Sequence, residues 1–191
     1  AERLAEAEMS SVARERLTVL RQGIERGRSL LDQLLTLAKV QSAADSPKSP
    51  VSVQSIYRRV LEDLMPLAEA KHIDIGVEGT QDAEVWASEL DMIALVKNLV
   101  DNAIRYTPEE GRVDLSVGVS EEKAELRVRD SGPGIPLAER DRVFDPFYRT
   151  LGSEQIGSGL GLSIVQTIAH RIGAEIRLDF VDETQQTGLK V

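Results

Sequence analysis

Cysteine is absent from the 191 residues, so neither a disulfide framework nor a thiolate zinc site can form. Histidine is scarce: His72 and His170 stand far apart and suggest no metal cluster. Clustered basic charge is missing too. A formal net charge of -9 without a basic stripe argues against nucleic acid as a partner, because that binding is driven by neutralising phosphates. No run approaches the roughly 20 apolar residues needed to cross a bilayer, and the first residues lack a basic-then-apolar targeting pattern. No membrane-spanning helix is therefore expected within these residues. The hydrophobic share, 41%, is sufficient for a core that needs no covalent staples.

The chain divides into two patterns. Leu17, Leu20, Ile24, Gly27, Leu31, Leu34 and Ala38 recur at alternating three- and four-residue steps, which predicts a helix over residues 14–41 with an a/d seam. Leu30, Leu35 and Leu37 widen that surface toward a bundle of about four helices. A single amphipathic helix lying on a globular domain would show the same pattern. Residues 1–9 are helical in composition, and Ser10 and Ser11 offer a turn and an N-cap, so the region reads as a truncated helical hairpin. The small, proline-punctuated run over 42–50 predicts the domain boundary, with units at 1–44 and 45–191. Beyond it the pattern is α/β. Helices are expected over 53–71, 89–106 and 160–171, and strands over 73–77, 84–87, 112–119, 123–129, 175–180 and 188–191.

Three segments carry chemistry. In the helix over 89–106, Met92, Ile93, Leu95, Val96, Leu99, Val100, Ala103 and Ile104 share one arc, while Asn98, Asn102 and Arg105 gather at its edge. Two amide oxygens one turn apart are hard ligands suited to magnesium, and a cation one turn further suits a triphosphate. An ordinary amphipathic helix in which Asp101 pairs with Arg105 at i,i+4 fits equally well. Next, Asp130-Ser-Gly-Pro-Gly-Ile135 follows an alternating strand. A carboxylate there can accept from an exocyclic amine, and Gly132 and Gly134 let backbone approach a planar ring, although Asp-Ser-Gly is also a common tight turn. Last, Gly157-Ser-Gly-Leu-Gly161 opens a helix, where amide donors meet an anion at the positive end of the dipole. It is neither a Walker sequence nor placed as in a dinucleotide fold. The intervening run from Val143 to Ile156 has an aromatic half that could anchor the base of a lid, or it could be a packed connection.

The order of these segments resembles that of sensor histidine kinases. Residues 98–108 resemble the N box, 130–135 the first glycine box, 144–147 the F box and 157–161 the second glycine box. The resemblance implies a Bergerat ATP-binding fold, an α/β sandwich with a mixed sheet covered by helices on one face, preceded here by an α-helical hairpin fragment. It implies ATP and Mg2+ as cofactors, with Asn102 and Asn98 near the metal and Arg105 and Arg149 neutralising phosphate oxygens. Tyr106 would stack on adenine, Asp130 would receive its amino hydrogen, and Gly132, Gly134 and Ile135 would line the base pocket. Gly157, Ser158, Gly159, Leu160 and Gly161 would wrap the phosphates. Catalytic roles thus fall to Asn98, Arg105 and Arg149.

Position 98 separates branches of this superfamily. Hydrolytic members carry a glutamate there that activates water, whereas Asn98 cannot act as a base at neutral pH, which favours phosphoryl transfer to a histidine. The family's acceptor histidine, usually followed by glutamate and then proline, has no counterpart: His72 and His170 sit in other contexts. The chain therefore reads as a kinase fragment expected to bind nucleotide without phosphorylating itself. The full protein is expected to be a homodimeric bacterial inner-membrane receptor with this portion in the cytoplasm, and a cognate response regulator as partner. A hydrolytic ATPase of the superfamily and a catalytically inactive nucleotide-binding or dimerisation module are the alternatives; an anti-sigma-factor serine kinase fits the leading heptad helix poorly.

Overall fold

The computed structural model describes residues 11–42, 47–120, 123–149 and 158–191. Its first element, α1 (Ser11–Ser42), contains the helix that the heptad-like pattern predicts over 14–41 and extends beyond it at both ends. Much of its seam is exposed in this chain: Leu20, Ile24 and Leu31 are each more than half exposed, as is Leu35 beside them, whereas Leu17 is half-buried. Helix α1 contacts the remainder mainly through α4 (Gly161–Ile172). The helix expected over 1–9 lies outside the described residues.

The α/β part begins with an unexpected strand. β1 (Ser49–Ser52) pairs antiparallel with β3 (Glu84–Ala87) to make a two-stranded ribbon. The sequence reads as a linker there because the strand is only four residues long and contains Pro50, which strands accept mainly at edges. Ser52 then caps α2 (Val53–Glu69), its Oγ accepting from the Ser55 amide at 3.1 Å. Val53, Ile56, Tyr57, Val60, Leu61, Leu64 and Ala68 form the buried face of α2 at helical spacing.

The main sheet has the order β2-β4-β5-β7-β6, formed by β2 (Asp74–Glu78), β4 (Arg112–Ser120), β5 (Lys123–Asp130), β7 (Thr187–Lys190) and β6 (Asp179–Asp182). β2 runs parallel to β4, and the other pairings are antiparallel, so the sheet is mixed. Val113, Leu115, Val117 and Val128 point into the core, whereas Arg112 and Arg127 on the same strands are exposed, the period-two pattern of a sheet covered on one face. The cover consists of α2, α3 (Glu89–Tyr106) and α4. The strand expected over 175–180 begins only at Asp179. Upstream, the Leu178 carbonyl is taken by the Arg140 guanidinium rather than by a ladder partner.

Two contacts fix how α3 and α4 lie against each other. At one end Arg171 pairs with Asp91, both largely buried, joining the last turn of α4 to the first turn of α3. At the other end Gly161, the first residue of α4, sits against the amides of Asn98 and Asn102. The helices are thus antiparallel, and the polar edge of α3 faces the start of α4.

Candidate functional site

The arc of α3 predicted to be apolar is buried at Met92, Leu95, Val96, Leu99, Val100, Ala103 and Ile104, whereas Ile93, expected on the same arc, is half-buried at the margin of the core. That burial sets the rotation of the helix and places its polar edge. Asn98 donates from Nδ2 to the Ala94 carbonyl at 2.7 Å, which leaves its Oδ1 for other contacts. A Cβ added to Gly161 would lie 3.4 Å from that Oδ1 and 3.1 and 3.2 Å from the amide nitrogen and oxygen of Asn102. Two side-chain amides therefore converge on the start of α4. Among the described residues Leu160 makes no side-chain cap at the start of α4, and the amide donors of such a first turn suit an anion. The donor set, amide oxygens beside open helix amides, fits magnesium and phosphate chemistry.

One turn further, Arg105 donates from Nε to Asp101 at 2.7 Å. The i,i+4 pairing open to this helix is realised. α3 ends immediately afterwards, and its end is held by Lys71, whose ammonium donates to the carbonyls of Ile104, Arg105 and Thr107 at 2.9, 2.9 and 2.6 Å. A cation at the negative end of the helix dipole is favourable, and its partial burial lowers the Lys71 pKa against the opposing pull of Glu109. The half-buried Tyr106 lies beside this cap.

Asp130 ends β5 and is 7% exposed. Its Oδ1 accepts from the Gly132 amide at 2.8 Å and the Leu189 amide at 3.3 Å. Burial pushes the carboxyl up to about 6, and those two amides pull it back. A buried carboxylate with two donors on one oxygen can still accept through the other. Gly132 is needed here because a Cβ would lie 2.9 Å from the Tyr106 carbonyl oxygen, so the loop after Asp130 and the end of α3 touch. Gly134 follows at φ +74, with Ile135 half-buried beside it.

The second glycine segment is tied to the aromatic one. The Phe147 amide donates to the Gly159 carbonyl at 3.0 Å, and a Cβ on Gly159 (φ +73) would strike the backbone of Phe147 and Tyr148 at 2.7 Å. Ser158 Oγ accepts from the Leu160 amide at 3.1 Å, and Leu160 is wholly buried. Arg149 is exposed, and Gly157 lies outside the described residues. His72 and His170 are exposed.

The fold matches known proteins. A family model described as "Histidine kinase-, DNA gyrase B-, and HSP90-like ATPase" matches residues 87–191. The chain belongs to that family. Its curated relatives include the swarming motility regulation sensor protein RssA of Serratia marcescens, 34% identical over 169 residues covering 86% of this chain and 36% of the relative. The sensor protein kinase PmrB of Pseudomonas aeruginosa is 39% identical over 147 residues, 76% of this chain and 31% of the relative. The chain spans about a third of the length of these two relatives. Among solved structures, the mycobacterial sensor histidine kinase MprB is 31% identical with a TM-score of 0.66, covering 75% of this chain and 93% of that one. Full-length ShkA in complex with AMPPNP is 26% identical with a TM-score of 0.73, covering 96% of this chain and 38% of that one. The chain thus carries a sensor histidine kinase ATP-binding domain in the α/β Bergerat fold.

Within this kinase domain several residues that shape the site escape a motif reading. Leu189 reaches Asp130 across 59 positions, and Gly188 donates its amide to the Gly132 carbonyl at 2.7 Å. Both belong to β7, and only strand pairing brings them there. Lys71 lies outside every box, and its proximity to α3 depends on the turn before β2. A local sequence signal exists for neither.

Proposed function

We propose that this chain is the catalytic region which, in its full protein, passes the γ-phosphoryl group of ATP to a hairpin histidine for relay to a response-regulator aspartate. The observation that carries this reading is the convergence of Asn98 and Asn102 on Gly161, which joins two motifs separated by more than fifty positions at one point. Asn102 and Asn98 would hold magnesium through their amide oxygens, and the metal, when bound, neutralises charge on the phosphates. The first-turn amides of α4, with Gly157, Ser158, Gly159, Leu160 and Gly161, would hold phosphate oxygens. Tyr106, Asp130, Gly132, Gly134 and Ile135 would form the base pocket, in which Asp130 accepts the exocyclic amino hydrogen of adenine. Arg105 would add positive charge once drawn from Asp101, and Arg149 would approach from the aromatic segment.

Asn98 carries no base to activate water, so the chemistry rests on positioning and charge neutralisation, and a histidine on the first helix of the dimerisation hairpin serves as nucleophile. The chain alone therefore binds nucleotide without labelling itself. The parent protein is a homodimeric inner-membrane receptor with this region in the cytoplasm and a response regulator as downstream partner. Residues 1–44 belong to its dimerisation hairpin and 45–191 to the catalytic domain.

Calorimetric titration with ATP and a non-hydrolysable analogue, with and without magnesium, tests binding; adding a hairpin that bears an acceptor histidine tests transfer. Magnesium-dependent binding and acid-labile label on the hairpin alone are expected. Absence of binding, or label on His72 or His170, would overturn the reading. Asn102→Ala is expected to lose the magnesium-dependent part of the affinity with an unchanged urea midpoint.

A further inference from the structure

Arg140 stands outside the recognised motifs, just after the short 3-10 turn Leu137–Glu139, yet its side chain reaches back to the loop that follows Asp130. Its Nε donates to the Ile135 carbonyl at 3.3 Å, its Nη1 donates to the Leu178 carbonyl, and its Cζ lies 4.5 Å from the centroid of the Phe180 ring. The guanidinium fork makes this possible, because one planar group satisfies two carbonyls while stacking on an aromatic face. Phe180 in turn occupies the space beside Gly134, where a Cβ would lie 2.8 Å from the ring. One end of the loop is thus fixed by backbone, through Gly188 to Gly132. The other end, at Ile135, is fixed to β6 by Arg140.

Nη2 of Arg140 is buried and meets no acceptor among the described residues. An unpaired buried donor works against folding, so a side chain retained for stability alone would be better apolar. The contacts it does make all converge on the 132–135 loop and on the strand behind it.

We infer that Arg140 is a positioning residue for base recognition. It holds the 132–135 loop against β6, which sets the width of the pocket beside Asp130 and so its preference for adenine. This rests on the reading of Asp130 as the adenine contact.

The test compares magnesium-dependent affinities for ATP, GTP and inorganic triphosphate in the whole chain and in its Arg140→Ala and Arg140→Lys variants, with urea midpoints measured in parallel. Arg140→Ala should weaken ATP about tenfold, the scale of one charge-assisted hydrogen bond, and shrink the ATP-over-GTP preference by a similar factor. Arg140→Lys should fall between, since an ammonium cannot serve both carbonyls and the ring. Inorganic triphosphate, which has no base, should bind all three alike. An unchanged ATP-over-GTP preference in folded Arg140→Ala, or an equal loss of triphosphate affinity, overturns the inference. Should Arg140→Ala fail to fold, Phe180→Leu removes the ring beneath the guanidinium: a reduced preference supports the inference and an unchanged one overturns it. A wild-type chain without preference for ATP over GTP would overturn the Asp130 reading itself, whereas wild-type selectivity with an indifferent Arg140→Ala overturns only the role of Arg140.

Discussion

Asp130, the proposed base contact, works against the fold that holds it. Its carboxyl is raised from the ordinary 3.8 to about 6 by burial. Between those values the folded chain binds a proton that the unfolded chain does not, so this contribution favours folding in acid and is lost as pH rises through 6. A shift of that size corresponds to about 3 kcal/mol. Asp130→Asn keeps an acceptor for the Gly132 and Leu189 amides but removes the charge. The variant should melt several degrees higher than wild type at pH 7.5, with the gap closing toward pH 4.5, as differential scanning fluorimetry would read. Its affinity for ATP should drop about tenfold, because the amide no longer offers a charged acceptor to the adenine amine. Wild-type ATP affinity should also fall as pH is lowered through 6. Stable melting at pH 7.5 and tight binding thus pull this one position in opposite directions.

At the scale of elements, α3 and α4 are joined by an ion pair at one end and a glycine contact at the other. Asp91 is raised by burial, with Arg171 pulling the other way, so removing the arginine leaves a buried carboxylate uncompensated. Arg171→Met should lower stability by about 3 kcal/mol in urea titration, and the double variant Asp91→Asn with Arg171→Met should recover much of the loss. Gly161→Ala should behave differently. Alanine suits a helix better than glycine by up to about 1 kcal/mol, yet its methyl would press on the Asn102 amide, so ATP affinity should fall while stability holds or rises. Element positions were largely legible beforehand because burial follows period: α3 occupies 89–106 as its apolar arc predicts, and β4 and β5 follow their alternation. β1 was hidden by its proline and brevity, and the late start of β6 by a side chain that satisfies Leu178 from outside the sheet. For the site, Asn98, Asn102, Asp130 and the glycines stand out because polar or flexible residues interrupt apolar patterns. Lys71, Leu189 and Arg140 do not, since each acts through the shape of distant backbone.

For the whole molecule, the exposed seam of α1 contrasts with the enclosed core of the α/β part. Among the described residues no helix is long and apolar enough to cross a membrane. Under the proposed assignment of residues 1–44 to a dimerisation hairpin, the exposed seam residues Leu20, Ile24 and Leu31 serve association rather than nucleotide binding, and a chain trimmed to residues 47–191 should bind ATP within about twofold of the longer one. Calorimetry on both would show it; a tenfold loss would make α1 part of the site. The contact between Asp130 and Leu189 has a different bearing, on the order in which the protein is made. The ribosome releases the asparagine helix, the aspartate and both glycine loops before β7 exists, and strand pairing across such a separation forms late. A nascent chain carrying all of the motifs still lacks the strand whose Leu189 amide donates to the Asp130 carboxylate. Under the proposed role of Asp130, competence to bind ATP is acquired only once β7 has been made.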